Sequence, residues 1–324
     1  MTEFELIQTF FARQQISRAD VAAGIGDDAA LLQPPPGQQL AVTSDLLVSG
    51  VHFFPDTDPV ALGHKALAVN LSDLAAMGAE PAWFLLNLTL PQVDTAWLEK
   101  FCQGMFGLAR EYGVQLVGGD TSRGPLAIAI EAHGFVPAGQ ALRRSGARVG
   151  DRIYVTGTLG DAALTLQQRL GRLPLQQNEI ASAAARLDRP TPRVREGMAL
   201  RGLANSAIDV SDGLLADLGH ILEMSRVGAR IFLGRIPVSP ICREHLKELG
   251  WDAVLATGDD YELCFTVPAA NIAALEKLPS AGAFRHIGEI EAEAGLRIVD
   301  ESGKAYRPRE TGHDHFAKPK RGNT

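Results

Sequence analysis

Pro-Val-Ala-Leu-Gly-His-Lys-Ala-Leu-Ala-Val-Asn-Leu-Ser-Asp-Leu-Ala-Ala-Met-Gly (residues 59–78), followed by Trp-Phe-Leu-Leu-Asn-Leu-Thr-Leu (83–90), is the stretch on which the fold turns. A proline at the start and a glycine at the end bracket an apolar run long enough for a helix over 59–77. The second run is short and continuously apolar, as in a strand buried on both faces. A long apolar helix leading straight into such a strand predicts a layered α/β arrangement. Asp73 is the anomaly, an acid in the middle of the most apolar helix of the chain, where Asp has poor helix propensity and a buried carboxylate needs a partner.

Working outward, the periodicity predicts a helix over 2–13, a strand over 40–44, a helix over 95–112 and strands near 114–117 and 126–136. Residues 137–151 carry three glycines with Arg143, Arg144 and Arg148 and few large apolar side chains, which marks a linker. Beyond it the pattern changes: strand 153–156, helix 161–170, helices between 179 and 203, strand 207–210 and helix 213–225. Strand 229–233, helix 240–249, strand 261–267, helix 269–278 and short strands to 306 follow. The expected domains are therefore 1–137 and 149–316, with a frayed tail at 317–324.

Composition excludes several classes. At 324 residues and 46% hydrophobic, the chain has material for two cores, and its low charge content is not that of a disordered protein. A formal net charge of −7 argues against nucleic-acid binding through phosphate neutralisation. No apolar run is long enough for a bilayer, and the opening Thr2, Glu3 and Glu5 are unlike a basic signal segment, so the cytoplasm is the expected compartment. Cys102, Cys242 and Cys264 lie far apart and read as small core hydrophobes.

Acids recur where strands end or helices are apolar. They are Asp27 and Asp28 in a Gly-Ile-Gly-Asp-Asp-Ala-Ala loop, then Asp45, Asp73, Asp120, Asp209, Asp212, Asp259 and Asp260. Any one of these is explained by a cap or a turn. If several converge, each like-charged pair at about 4 Å costs on the order of 4 kcal/mol at an effective dielectric near 20. Local cations are few, chiefly Lys65, Arg123 and Arg144, whereas carboxylates with the hydroxyls of Thr43, Ser44 and Ser211 suit a hard divalent ion, Mg2+ above others. Acids loaded with Mg2+ form a site for nucleotide phosphates. A P-loop, kinase signature motifs, zinc spacings and a serine-hydrolase elbow are absent from the sequence. Gly24 to Ala29 matches a dinucleotide fingerprint, but residues 20–23 make a poor strand and two acids would face the pyrophosphate.

Read in order, Gly-Ile-Gly-Asp-Asp-Ala-Ala, Thr43-Ser-Asp-Leu-Leu-Val-Ser-Gly-Val-His-Phe53 and Asn70-Leu-Ser-Asp-Leu-Ala-Ala-Met-Gly-Ala79 resemble the thiamine-monophosphate kinase family. So do Gly-Gly-Asp-Thr (118–121), Arg-Ser-Gly-Ala (144–147), Tyr-Val-Thr-Gly-Thr (154–158), Ile-Asp-Val-Ser-Asp-Gly-Leu (208–214) and Asp-Tyr-Glu-Leu (260–263). The resemblance spans residues 4–316. It implies an N-terminal α/β domain whose sheet joins its twin in a dimeric barrel, a C-terminal α+β domain, and ATP-dependent conversion of thiamine monophosphate to thiamine diphosphate in the cleft between them. By matched position it assigns Asp28, Thr43, Ser44, Asp45, Asp73, Asp120, Asp209 and Asp212 to several Mg2+ ions, and Gly119, Asp120, Arg144 and Ser211 to ATP. It assigns His52, Asp259 and Phe316 to the thiamine phosphate, with no catalytic residue apart from the metal ligands. Asp259 departs from the usual Glu and His313 from the usual aromatic residue. A non-catalytic Mg2+ or nucleotide sensor would use the same acids.

Overall fold

The computed structural model describes residues 1–14 and 17–312. Two mixed sheets organise the chain. The first has the order β3 (Gln38–Val48), β6 (Ala127–Pro137), β4 (Glu80–Leu90) and β5 (Gln115–Arg123), with β4 and β5 parallel and the other pairs antiparallel. The second has seven strands in the order β13 (Ala305–Tyr306), β12 (Gly295–Val299), β9 (Gly228–Phe232), β11 (Phe284–Glu291), β7 (Arg152–Thr156), β10 (Leu263–Val267) and β8 (Ser206–Asp209). Only β12 and β9 pair in parallel there, as an α+β reading requires. A small ribbon of β1 (Val21–Ala23) and β2 (Leu31–Leu32) was not expected from the sequence.

The stretch quoted first behaves as read. Asp58 caps the helix through the Ala61 amide, Pro59 occupies its first turn, and the helix runs Pro59–Ala76. It is buried nearly all round because it lies between the first sheet and the second domain. It crosses the Thr95–Tyr112 helix so closely that a Cβ on Gly63 would stand 2.0 Å from the Phe101 carbonyl oxygen. One apolar core holds Leu67, Leu71 and Leu74 of this helix together with Tyr154, Phe265 and Phe284 of the second sheet, so the two domains share their packing.

Other expectations shift in instructive ways. The glycines before Asp120 do not end a strand: β5 passes through them, with Gly119 at φ 138° and its Cα pressed on the Leu86 backbone, where a Cβ would clash. The first helix shortens to one turn, Glu3–Leu6, continued by a wider π-type turn, Ile7–Phe11. The 240–249 helix breaks at His245, and a further helix, Trp251–Ala256, follows it. No barrel closes within one chain, since β3 and β5 remain the two edges of the four-stranded sheet. Among the described residues no helix is long and apolar enough to cross a membrane.

Candidate active site

Three side chains of one helix organise the junction of the two sheets. Asn70 accepts the Asp45 amide (3.1 Å) while donating to the Ala66 carbonyl, Ser72 donates to Asp209 (2.8 Å), and Asp73 accepts the Thr43 hydroxyl. Alternation along β3 places Thr43 and Asp45 on the same face, toward this helix. Asp209 ends β8, and Asp212 follows on a loop whose amide donates to Asp217 (3.1 Å). Asp45, Asp73, Asp209 and Asp212 open on a cavity of about 690 Å3 lined also by His52, Phe53, Lys65, Asp188, Ser211, Asp259 and Tyr261.

The electrostatics are those of acids crowded together, with hydroxyl and amide donors as their nearest compensation. Burial pushes the Asp45 carboxyl up to about 7, with Asp73 and Asp212 adding to the effect. Burial likewise raises Asp73, partly opposed by the Thr43 hydroxyl and Arg144. Asp209 is raised well above the carboxylate range by burial and then by Asp73. Burial and Asp212 push Asp217 to about 7. These acids sense one another, which is the convergence expected from their spacing.

The convergence is not complete. Ser44 points to the opposite face of β3, in register with Glu131. Asp28, Gly119 and Asp120 line a second cavity of about 670 Å3 with Asp27, Glu131 and His133, beside the far edge of the sheet. Asp120 is in register with Asn87, Ala129 and Leu46 across successive strands, which puts it three strand spacings, on the order of 14 Å, from β3. Among the described residues no three His, Cys, Asp or Glu side chains lie close enough to hold one metal ion together. Arg144 reaches the cluster through its field on Asp73 and Asp217. Phe316 and His313 lie outside the described residues. A short strand does precede the Gly24 loop, but the second strand of the ribbon follows it where a dinucleotide site needs a helix.

Asp217 went unnoticed in the sequence, although it satisfies the criterion that singled out Asp73: an acid inside an apolar helix, Leu214–Ser225. Asp188 gives no such signal, because its place in the cavity depends on packing between distant helices.

Comparison with known proteins places the chain in a family. The family model for the AIR synthase related protein N-terminal domain matches residues 26–136, and the model for its C-terminal domain matches residues 148–301. The thiamine-monophosphate kinase of Escherichia coli (strain K12) is 51% identical over 323 residues, covering 98% of this chain and 99% of that one. The crystal structure of thiamine-monophosphate kinase from Stenotrophomonas maltophilia K279a superposes with a TM-score of 0.83 at 48% identity, over 90% of this chain and 93% of that one. A structure of AaThiL complexed with AMPPCP and TMP gives a TM-score of 0.77 at 31% identity, over 90% of this chain and 92% of that one.

Fold and matched domains therefore define a two-domain α/β protein of the AIR synthase related class. Within that class the chain belongs to the thiamine-monophosphate kinase family, and it is a kinase that transfers phosphate.

Proposed function

We propose that this chain uses ATP to convert thiamine monophosphate to thiamine diphosphate by direct in-line transfer in the cavity between the sheets, with several Mg2+ ions bound. The carrying observation is the cluster of Asp45, Asp73 and Asp209, whose carboxyls resist ionisation chiefly through burial, with Asp212 adding its field at Asp45. The donor chemistry fits Mg2+: hard carboxylate and hydroxyl oxygens, no soft ligand, and a surplus of negative charge. We assign Asp28, Thr43, Ser44, Asp45, Asp73, Asp120, Asp209 and Asp212 to the ions. Bound Mg2+ would offset charge on the transferring phosphoryl group and hold donor and acceptor oxygens in line.

The chain's own residues do the remaining work. Gly119, Asp120, Arg144 and Ser211 bind ATP; His52, Asp259 and Phe316 bind the acceptor. An acceptor phosphate oxygen is already anionic, so the residues need to align rather than to abstract a proton. Asn70 and Ser72 hold the Asp45 backbone and the Asp209 carboxylate, which fixes the site across two domains. In support, a relative carries AMPPCP and TMP together.

The same reading includes a homodimer. The face of β3 away from the core exposes Leu40, Val42 and Leu46, and both edges of its sheet are unpaired. A second copy setting its β5 beside β3 would cover that face and bring Asp28 and Asp120 of one chain toward Thr43, Ser44 and Asp45 of the other. We place the enzyme in the cytoplasm, where both substrates are made available. Incubation with ATP, Mg2+ and thiamine monophosphate tests the reading: thiamine diphosphate and ADP should form in equal amounts. ATP turnover without thiamine diphosphate would refute the acceptor, and a trapped phosphorylated enzyme would refute direct transfer.

A further inference from the structure

Among the described residues lining the acidic cavity, Lys65 is the only lysine or arginine. It lies on the same helix as Asp73, and Lys65, Val69 and Asp73 line the cavity at four-residue spacing, so one helix face forms its wall. Eight residues of helix put Lys65 roughly 12 Å along the axis from Asp73. The lining acids fall into two neighbourhoods: Asp45, Asp73, Asp209 and Asp212 act on one another, and Asp188 and Asp259 gather around Lys65, in a cavity lined also by Leu166, Leu170 and Leu187.

Lys65 is 3% exposed, and its ammonium stands 3.2 Å from Asp259 Oδ2. The Tyr261 hydroxyl donates to Asp259 Oδ1 at 2.9 Å. Each carboxylate oxygen is therefore held from one side, and the carboxylate keeps lone pairs free for a further donor. The backbone beneath is costly: Asp259 and Tyr261 adopt φ of 60° and 50°, which non-glycine residues avoid. Two bonds to the neighbouring loop maintain it, from the Asp259 amide to the Ser211 carbonyl and from the Tyr261 amide to the Val210 carbonyl, both 2.9 Å. Strain retained in a cavity wall and stabilised from several directions points to a side chain whose orientation matters. Lys65 comes from the first domain and Asp259 from the second, so the pair spans the cleft.

We propose that Lys65 is a positioning residue for the acceptor: it orients the Asp259 carboxylate to accept a hydrogen bond from the amino group on the substrate's pyrimidine ring, while the phosphate lies toward Asp73. The proposal rests on the thiamine-monophosphate reading above. An amino-bearing acceptor explains why a cavity already rich in acids keeps one more carboxylate beside Lys65, and why the single ammonium orients that carboxylate rather than binding the nucleotide.

The test compares Lys65→Met, which keeps the bulk, with Lys65→Arg, which keeps the charge, in steady-state kinetics with each substrate varied. Lys65→Met should raise the KM for thiamine monophosphate by about tenfold or more, and shift the KM for ATP by less than about twofold, since only the acceptor end loses its orienting charge. Lys65→Arg should recover most of that loss. The double variant with Asp259→Asn should be little worse than Asp259→Asn alone, because the two act through one carboxylate. If Lys65→Met does not fold, Lys65→Gln is read in its place with the same expectation. An acceptor KM that stays at the wild-type value, or KM values that rise together for both substrates, overturns the role of Lys65. Wild-type enzyme that makes no thiamine diphosphate overturns the acceptor reading instead.

Discussion

Two groups of buried acids in this molecule have opposite surroundings. Glu262, fully buried at the start of β10, receives Arg186 at 2.6 Å, Arg193 through two nitrogens at 2.6 and 2.5 Å, and the Thr156 hydroxyl at 2.5 Å. Elsewhere in the fold, Asp45, Asp73, Asp209 and Asp217 crowd one another, and Arg144 acts on Asp73 and Asp217 alone. The first carboxylate is satisfied by the protein and serves the fold. The second group has hydroxyl and amide donors in place of guanidinium groups, so its charge stays available to something the protein binds. Burial alone does not separate structural acids from functional ones; the partners do.

Removing charge should break the comparison most sharply at the uncompensated end. Asp45→Asn or Asp120→Asn should lower turnover by about a thousandfold or more, the scale of losing several kcal/mol of charge stabilisation at the phosphoryl group, while circular dichroism shows an intact fold. Activity near wild type, or a collapsed protein, would count against the assignment.

At the compensated end the order reverses. Glu262→Ala leaves two guanidinium groups without their carboxylate and should cost about 3–5 kcal/mol of stability, read from denaturant unfolding. A loss below about 1 kcal/mol would mean the network is not the structural hub it resembles.

The pH dependence of the metal-free protein sharpens the contrast. Burial pushes Asp45 and Asp217 up to about 7 in the fold from the ordinary 3.8, so the folded state holds more protons between those limits. Stability from this source is fully present below about pH 4 and is lost as pH rises through 7, by at most about 1.4 kcal/mol per pH unit for each group. Asp45→Asn should flatten that decline between pH 5 and 8, and Mg2+ should raise the melting temperature more at pH 8 than at pH 5. Equal slopes for wild type and variant would remove the basis for crowding.

The smallest effect concerns the division of the acids between sheet edges. Asp45→Asn and Asp120→Asn proteins, each inactive, should regain about a quarter of wild-type activity when unfolded and refolded together, because half the dimers are mixed and one of their two sites is intact. No recovery would place both acids in one chain's site.

Much of the architecture was legible. The Thr95–Tyr112 helix is bounded by an Asp94 cap and a left-handed Gly113, and both signals are local. The Pro59–Ala76 helix ended one residue from its expected stop for the same reason. The ribbon of β1 and β2 and the Trp251–Ala256 helix were missed, being too short for periodicity to register. Asp73 was legible as an anomaly because an acid in an apolar helix conflicts with its own neighbourhood, and Asp217 should have been read the same way.

What the sequence determined by itself was the inventory: where helices begin, which runs are buried, and which acids sit against their local context, all set within a few residues by sterics, caps and hydrophobic periodicity. What only the tertiary structure decided was the sorting of those acids. Asp45 and Asp120 both follow short apolar runs within their strands, yet the order β3-β6-β4-β5 sends one to the interdomain cavity and the other to the far edge. Strand order arises from pairing between segments far apart in the chain, and electrostatic repulsion falls with distance in space rather than in sequence, so no local reading could assign it.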